Sequence, residues 1–492
     1  MLFATGFVSM AMEMVWSRQY SFYLGNLVYA FALIVAVYLV ATFAGTLVCR
    51  ARSAARPWLG PALLAGSALL GLLPVLATDP RLPVPRTLLG AAGRVVFGIA
   101  PFCAALGFLT PDLIDRFSRG EPRRAGHLYA VNTLGCIAGP LVASFLLLPR
   151  LPERWTLLLL ALPLAALALF APRESGGAVV RRRGTALLAG SAALAAGLAG
   201  FVAHDSAVRA RDGIVLRDHT ATVVASGRGR HKRLYVNGLG MTSLTPITKL
   251  MAHVPLAYHE PGAKDALIVC LGMGTSFRSA LSWGLDVTAV ELVPSVPRLF
   301  SYYHEDAPTL LARPNARIIV DDGRRFLEWT PHLFDVIVVD PPPPLEAAGS
   351  SLLYSKEFYT VAAQRLRPGG IMQAWMPGGG DSLTRLSFLR AFLDSFPHVR
   401  LFRSIEGWGL HMLGSDRPIP VLDAKQLAAR LPREAAADLV EWYPGSAPEH
   451  VFARFLTQEL DVPRRTRRVS ATPPLRDDRP YNEYFVLRQL RE

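Results

Sequence analysis

The chain changes character near residue 204. Before it, long apolar runs follow one another; after it, short β-branched runs alternate with polar stretches. Uncharged apolar runs occupy residues 27–49, 58–78, 128–149, 155–172 and 184–203. Each is about long enough to cross a hydrocarbon core of roughly 30 Å as a helix. The run 95–111 spans as well if it extends backwards through Arg94. The N-terminal run 1–16, which carries Glu13, is a further candidate. Residues 1–203 are therefore expected to form a multi-pass α-helical membrane domain of about seven helices. Glu13 interrupts the first run and no basic start precedes it, which disfavours a signal peptide. Charges inside spans are costly, so they pair or face a cavity. Glu13 and Arg94 are accordingly read as a membrane polar pair, either a structural ion pair or part of a polar site.

The later half has the pattern of an open α/β sheet. Residues 220–226 and 233–237 alternate as two strands around a turn rich in glycine and arginine, giving a small β subdomain over 204–250. A helix is expected over 245–258. From residue 266 the order reads strand, helix, strand, helix, strand, strand, with a later helix at 356–366 and a strand at 371–375. The strands are Leu267-Ile-Val-Cys-Leu-Gly-Met-Gly, Val287-Thr-Ala-Val-Glu291, Arg317-Ile-Ile-Val-Asp-Asp-Gly323 and Asp335-Val-Ile-Val-Val-Asp340. Each β-branched run ends in a glycine turn or an acid, as buried parallel strands do at the edge where ligands bind. Right-handed crossovers put all the strand carboxyl ends on that edge, so Gly272, Glu291, Asp322 and Asp340 converge. Glu291 follows Gly272 by 19 residues, the interval at which an acid reaches ribose hydroxyls. The glycines let backbone approach a ligand, and the acids accept from ribose hydroxyls and an adenine amine. The set reads as a nucleoside site in a Rossmann-like, class I methyltransferase-type α/β domain over 251–420. A C-terminal extension covers 421–492. The alternative is that the acids only cap strand ends.

Composition supports the division. Hydrophobic residues make up 51% of the 492 and mean hydropathy is +0.29, high for a soluble enzyme. The net charge of +14 comes largely from arginines between the apolar runs, as in loops that flank spans. No lysine and arginine cluster with interleaved aromatics marks a nucleic-acid groove, so no nucleic-acid partner is expected. The four cysteines, Cys49, Cys103, Cys136 and Cys270, lie in apolar segments without metal spacing, so no metal is expected. Three loops are rich in arginine: Arg50 to Arg56, Arg116 to Arg124, and Arg173 to Arg183. The positive-inside rule puts them in the cytoplasm, which leaves everything after a seventh crossing outside. A cofactor made in the cytoplasm requires the reverse. The expectation is therefore a cytoplasmic catalytic domain, with the Ala- and Gly-rich run 184–203 lying along the interface or re-entering.

These residues resemble the spermidine synthase (aminopropyltransferase) family, within the S-adenosylmethionine-type methyltransferase folds. The resemblance runs from residue 218 to 377. It is carried by Ala252-His-Val-Pro-Leu256, Val290-Glu291, Asp321-Asp-Gly323, Asp340 and Leu353-Tyr-Ser-Lys-Glu-Phe-Tyr359. The chain also resembles a bacterial group in which this domain is fused to a transporter-like membrane segment. The signs are Glu13-Met-Val-Trp-Ser-Arg18, Gly126-His-Leu-Tyr-Ala-Val-Asn-Thr-Leu-Gly135 and Asp477-Asp-Arg-Pro-Tyr-Asn-Glu483. The resemblance implies that Asp340 is catalytic and sits beside the reacting amine. It implies that Glu291, with Leu292 beside it, holds the ribose. Asp322, with Asp321 and Gly323, would hold the adenine, and Gly272, Met273, Gly274 and Thr275 the tail. His253, Tyr354 and Glu346 fall on the substrate side. The implied co-substrate is S-adenosylmethionine or its decarboxylated form. The implied partners are the lipid bilayer of a bacterial inner membrane and a small amine or lipophilic acceptor, with a homodimer left open.

Three departures bear on the acceptor. Thr275 stands where the family has an acid in its glycine loop. Pro343, within the prolines 341–344, stands where it has a second acid, and Ile247-Thr248 replace a Tyr-Gln pair that helps hold the diamine. A dication needs anionic partners, so putrescine is expected to be a poor acceptor. The leading expectation is a membrane-bound transferase of the aminopropyl type. The alternatives are methyl transfer or lyase chemistry on S-adenosylmethionine, and a non-catalytic transporter-like protein that senses a nucleoside. The four prolines either stiffen a loop or shape a gate over the acceptor site.

Overall fold

The computed structural model describes residues 1–25, 27–51, 60–85, 87–170, 197, 200–202, 213–342 and 344–489. The chain divides into two compact units, Met1–Val224 with Val236–Leu239, and Ala225–Tyr235 with Gly240–Glu492.

The first unit is helical: α1 Leu2–Leu24, α2 Val28–Ala51, α3 Gly60–Leu70, α4 Leu73–Ala77, α5 Leu88–Ser118, α6 Pro122–Val142 and α7 Glu153–Phe170. A π-turn, Ala143–Leu147, continues α6. Among the described residues, four stretches are long and apolar enough to cross a membrane: Val28–Ala51, Leu88–Ser118, Pro122–Leu147 and Glu153–Phe170. The expected single run 58–78 is instead two short helices, because Pro74 lacks the N–H that would carry one helix through. The run 184–203 lies outside the described residues except at 197 and 200–202. Glycines let helix backbones touch. A Cβ at Gly135 would overlap the Phe3 carbonyl, and one at Gly139 the Phe7 carbonyl, so α6 lies directly on α1. Gly45 and Gly107 bring α2 against α5 in the same way.

Arg94 does not pair with Glu13. Its guanidinium donates to the carbonyls of Ala77 at 2.5 Å, Asp79 at 3.1 Å and Leu82 at 3.1 Å, and lies 4.6 Å from the centre of the Tyr23 ring. The end of α4 supplies carbonyls that no helix bond uses, and a buried guanidinium takes them. No ion pair joins Glu13 to Arg94 among the described residues.

A four-stranded sheet is ordered β1 (Ile214–Arg217), β2 (Thr222–Ser226), β3 (Arg233–Val236) and β4 (Leu239–Ser243). Two of these strands were expected. The other two, Ile-Val-Leu-Arg and Leu-Gly-Met-Thr-Ser, carry little alternation.

The second unit is built on an eight-stranded sheet. Its strands are β5 Asp265–Val269, β6 Asp286–Glu291, β7 Ala316–Val320, β8 Phe334–Val339, β9 Leu366–Met376, β10 His398–Arg403, β11 Leu410–Ser415 and β12 Glu459–Leu460. The order is β12-β10-β11-β9-β8-β5-β6-β7. Strands β5 to β9 are parallel and β11 is antiparallel to β9. The strand order reverses between β5 and β8, which makes their carboxyl ends the place where ligands bind in such sheets. Every side chain of β8 is buried, as its β-branched run requires. Helices α8 (Pro246–Tyr258) and α9 (Thr275–Leu281) cover one face. Among the described residues, 421–489 contributes β12 to this sheet and five helices to the same unit.

The expected strand-to-strand passage from 323 to 335 is corrected by a short helix, Gly323–Trp329. Parallel neighbours need a crossover, and seven residues are too few to show a helical period in the sequence. Strand β9 also starts five residues earlier than expected, at Leu366 rather than 371, and runs through Pro368-Gly-Gly370.

Candidate active site

Register brings the expected acids together. Val269 pairs with Val290 on one side and Val339 on the other. The next residue of each strand, Cys270, Glu291 and Asp340, therefore emerges at the same edge. Backbone bonds hold the three ends: Cys270 N–H to Val290 O at 3.0 Å, Asp340 N–H to Val269 O at 3.2 Å and Asp321 N–H to Glu291 O at 3.0 Å. Burial pushes the Cys270 thiol well above its usual range, and the charges of Glu291, Asp340 and Asp322 push it further. Three carboxylates thus lie within electrostatic reach of one thiol.

Strand β5 gives way at once to a strained loop. Cys270 has φ +70°, Gly272 +55° and Gly274 +80°. A left-handed non-glycine at a strand end is costly and recurs at binding sites. At Gly274 a Cβ would also overlap the Phe300 ring, so conformation and packing both require glycine there. The loop ends at α9, whose first residue is Thr275. Its Oγ1 lies 3.4 Å from His304 Nε2, and both side chains are buried. Burial lowers the His304 imidazole to about 4, helped by the Arg278 guanidinium, so it is neutral at physiological pH. Met273 is buried beneath the loop.

Glu291 ends β6 and braces the loop. Its Oε2 accepts from Gly272 N–H at 3.3 Å and its Oε1 from Val293 N–H at 3.0 Å. Burial raises its carboxyl above the usual range, and those backbone donors pull against the rise. Leu292 follows it and is 55% exposed, an apolar surface beside the acid. Asp322 has a structural task as well: its Oδ1 caps the helix Gly323–Trp329 by accepting from Arg325 N–H at 2.9 Å. Asp321 accepts from the Arg325 guanidinium and from Asp322 N–H. A Cβ at Gly323 would overlap Val269, so this turn packs directly on β5.

Asp340 is the most unusual of the acids. Its side chain is partly reached by solvent yet lies deep in the fold. No hydrogen bond or ion pair engages its carboxylate among the described residues, and burial pushes it up to about 7. A carboxylate poised near neutrality accepts a proton well. The charge of Asp340 reaches the phenol of Tyr354, which is fully buried and whose hydroxyl donates to Trp375 O at 3.2 Å. Glu346 lies on the loop after β8, its Oε1 2.9 Å from where a Cβ on Gly380 would stand. Pro343 lies outside the described residues.

His253 is not brought to this edge. Its Nε2 bonds Asp438 Oδ2 at 2.8 Å, and its Nδ1 accepts from Trp283 Nε1 at 2.9 Å. Both nitrogens are used in a buried network with Lys249 and Ser279, which leaves none for a substrate. His304 and Trp408 were not singled out from sequence. Trp408 is 48% exposed and stands 2.6 Å from where a Cβ on Gly378 would lie, just beyond the end of β9. Neither sits in a pattern that would have revealed it.

The spermine/spermidine synthase domain family matches residues 245–376, which span β5 to β9. A polyamine aminopropyltransferase of Mycobacterium tuberculosis is 30% identical over 384 residues, covering 71% of this chain and 71% of that protein. The chain belongs to the polyamine aminopropyltransferase family. Family membership makes it a transferase. Polyamine aminopropyltransferase 2 of Pseudomonas aeruginosa is 30% identical over 174 residues, 33% of this chain, and the match spans about half of that relative, 48%. Spermidine synthase from Thermotoga maritima aligns in space with a TM-score of 0.36 and 18% identity, over 46% of this chain and 87% of that one. The Rossmann-like assignment rests on the strand order itself.

Glu291→Ala should weaken binding of methylthioadenosine by roughly 1–3 kcal/mol, the scale of a lost charged hydrogen bond. Calorimetric titration of the full chain reads this directly. Unchanged affinity would remove Glu291 from the site.

Proposed function

We propose that this aminopropyltransferase-family chain is a membrane-embedded transferase. It moves the aminopropyl group of decarboxylated S-adenosylmethionine to an amine other than putrescine. The observation that carries the reading is Asp340, a carboxylate at the switch point with no cation on it and its proton affinity raised to about 7. Glu291 would receive the ribose and the free oxygen of Asp322 the adenine, leaving the sulfonium between the glycine loop and Asp340. The amine nitrogen attacks the carbon next to sulfur, the carbon–sulfur bond breaks, and methylthioadenosine leaves as a neutral thioether. Asp340 orients the amine and takes its proton. The sulfonium is already a good leaving group, so alignment is the main demand on the protein.

The acceptor side is poor in anions, which supports an acceptor other than a dication. Ile247 and Thr248 are buried, and Thr248 Oγ1 donates to its own helix at Thr245 O. Trp408 stands over Gly378 and Glu346 beside Gly380, and the adjoining acid, Asp381, is already paired with Arg488 at 2.7 Å. One observation favours a second reading. The neutral Thr275–His304 pair would suit a tail that carries its own carboxylate, which is S-adenosylmethionine itself, and methyl transfer would then be the reaction. The products decide. Incubation of the purified chain with each nucleoside and a panel of amines should release methylthioadenosine, with putrescine among the slowest acceptors. S-adenosylhomocysteine would establish methyl transfer, and rapid spermidine formation would overturn the acceptor assignment.

Membrane embedding is supported by the four long apolar helices and by their outward side chains. On α2, Leu39, Val40, Phe43 and Val48 are all more than half exposed, a cost in water and none in lipid. We place the catalytic unit on the cytoplasmic side, where the nucleoside is made. In a cysteine-free background, Val421→Cys, at a position 88% exposed, should resist a membrane-impermeant thiol reagent in intact cells and react after lysis. Labelling in intact cells would place the unit outside.

A further inference from the structure

The helix Val462–Val469 carries four arginines in eight residues, Val-Pro-Arg-Arg-Thr-Arg-Arg-Val. Its attachment is simple. Val469 is fully buried and Val462 packs against the core beneath the sheet. Asp461 caps its start by accepting from Arg464 N–H at 2.9 Å. With the apolar stripe turned inward, Arg464, Arg467 and Arg468 are exposed and Arg465 is half-buried. Arg403, at the end of β10, is exposed as well. These charges crowd one another. Burial holds Arg465 below the usual range, and the charges of Arg403, Arg468 and Arg464 add to it.

The cluster has no internal counterion. Elsewhere in this unit, Arg278, Arg324, Arg367 and Arg400 each sit on a carboxylate within 3.0 Å. No carboxylate lies within ion-pair distance of Arg403, Arg464, Arg465, Arg467 or Arg468 among the described residues. Like charges gathered without a partner repel, and a polyanion relieves that repulsion. Two kinds of surface offer one, a nucleic acid and an anionic leaflet. The chain itself favours the leaflet, because its first unit carries four helices fit to hold it in a bilayer. A tether of that kind keeps the patch at high effective concentration against headgroups. Guanidinium also pairs with phosphate in bidentate fashion.

We propose that the arginine face of Val462–Val469, with Arg403, binds the phosphate headgroups of anionic lipids. This rests on the membrane part of the proposed function. Basic side chains at an anionic leaflet each strengthen attachment, and salt screens it.

The test is hydrogen exchange of the 462–470 amides. The full chain is placed in nanodiscs of phosphatidylcholine, with or without phosphatidylglycerol. Phosphatidylglycerol should slow exchange of this segment roughly tenfold, and high salt should reverse the effect. The triple variant Arg464→Gln, Arg467→Gln, Arg468→Gln should exchange alike in both discs, with the other segments unchanged. Equal exchange of the unaltered chain in both discs overturns the proposal. So does slowing by an RNA oligonucleotide in phosphatidylcholine discs with none from phosphatidylglycerol. If the chain does not enter discs at all, the membrane reading fails separately. Phosphatidylglycerol vesicles added to the free chain then decide: slowing of 462–470 supports the lipid site, and unchanged exchange rejects it.

Discussion

Parallel pairing of β5 with both β6 and β8 at a shared register is the constraint on which the site depends. Val269 sits between Val290 and Val339, so Cys270, Glu291 and Asp340 must leave the sheet together. A slip of one residue would turn every side chain of a strand to the other face. The buried run Phe334–Val339 forbids that slip, because both of its faces are packed. Hydrophobic packing thereby sets the position of a carboxylate that makes no ion pair among the described residues. The same packing removes water from Asp340 and raises its proton affinity. Core and chemistry are here one arrangement.

Much of this was legible in the sequence. Short β-branched runs, each closed by glycine or an acid, located the parallel strands. Right-handed crossovers placed Gly272 and Glu291 at one edge, and there Gly272 N–H donates to Glu291. Features built from distant segments were not legible. His304 meets Thr275 only because the segment after β6 folds back onto the glycine loop. Asp438 gathers Lys249, His253, Arg278 and Ser279 from two helices far away in the chain. Although burial works against it, the His253 hydrogen bond and the Lys249 charge hold that carboxyl far below its usual range. A motif at 252–256 pointed to His253 as a substrate contact; the partner that occupies it lies 185 residues later. Local features also escaped where they were short, as with the helix Gly323–Trp329, whose cap gives Asp322 a second task.

The helical unit follows a different rule. Its helix backbones meet at glycines, as at Gly135 and Gly139 on α6, while Trp16, Tyr20 and Phe102 fill its core. Its buried cation is satisfied by carbonyls at a helix end. Arg94 therefore reads as part of the frame. Proline marks what hydropathy alone missed, since Pro74 divides one apolar run into two helices.

Asp340 is proposed as the proton acceptor of a group transfer, in a site that binds its nucleoside through other residues. The most direct measurement compares the intact chain with Asp340→Asn, reading nucleoside affinity by calorimetry and kcat/KM for the nucleoside against pH at saturating amine. Ionised Asp340 is the active form, so kcat/KM should fall as pH drops through about 7. Asp340→Asn should bind methylthioadenosine as well as the intact chain and turn over nothing. Turnover by the asparagine variant, or a profile flat across neutrality in the intact chain, would contradict the account.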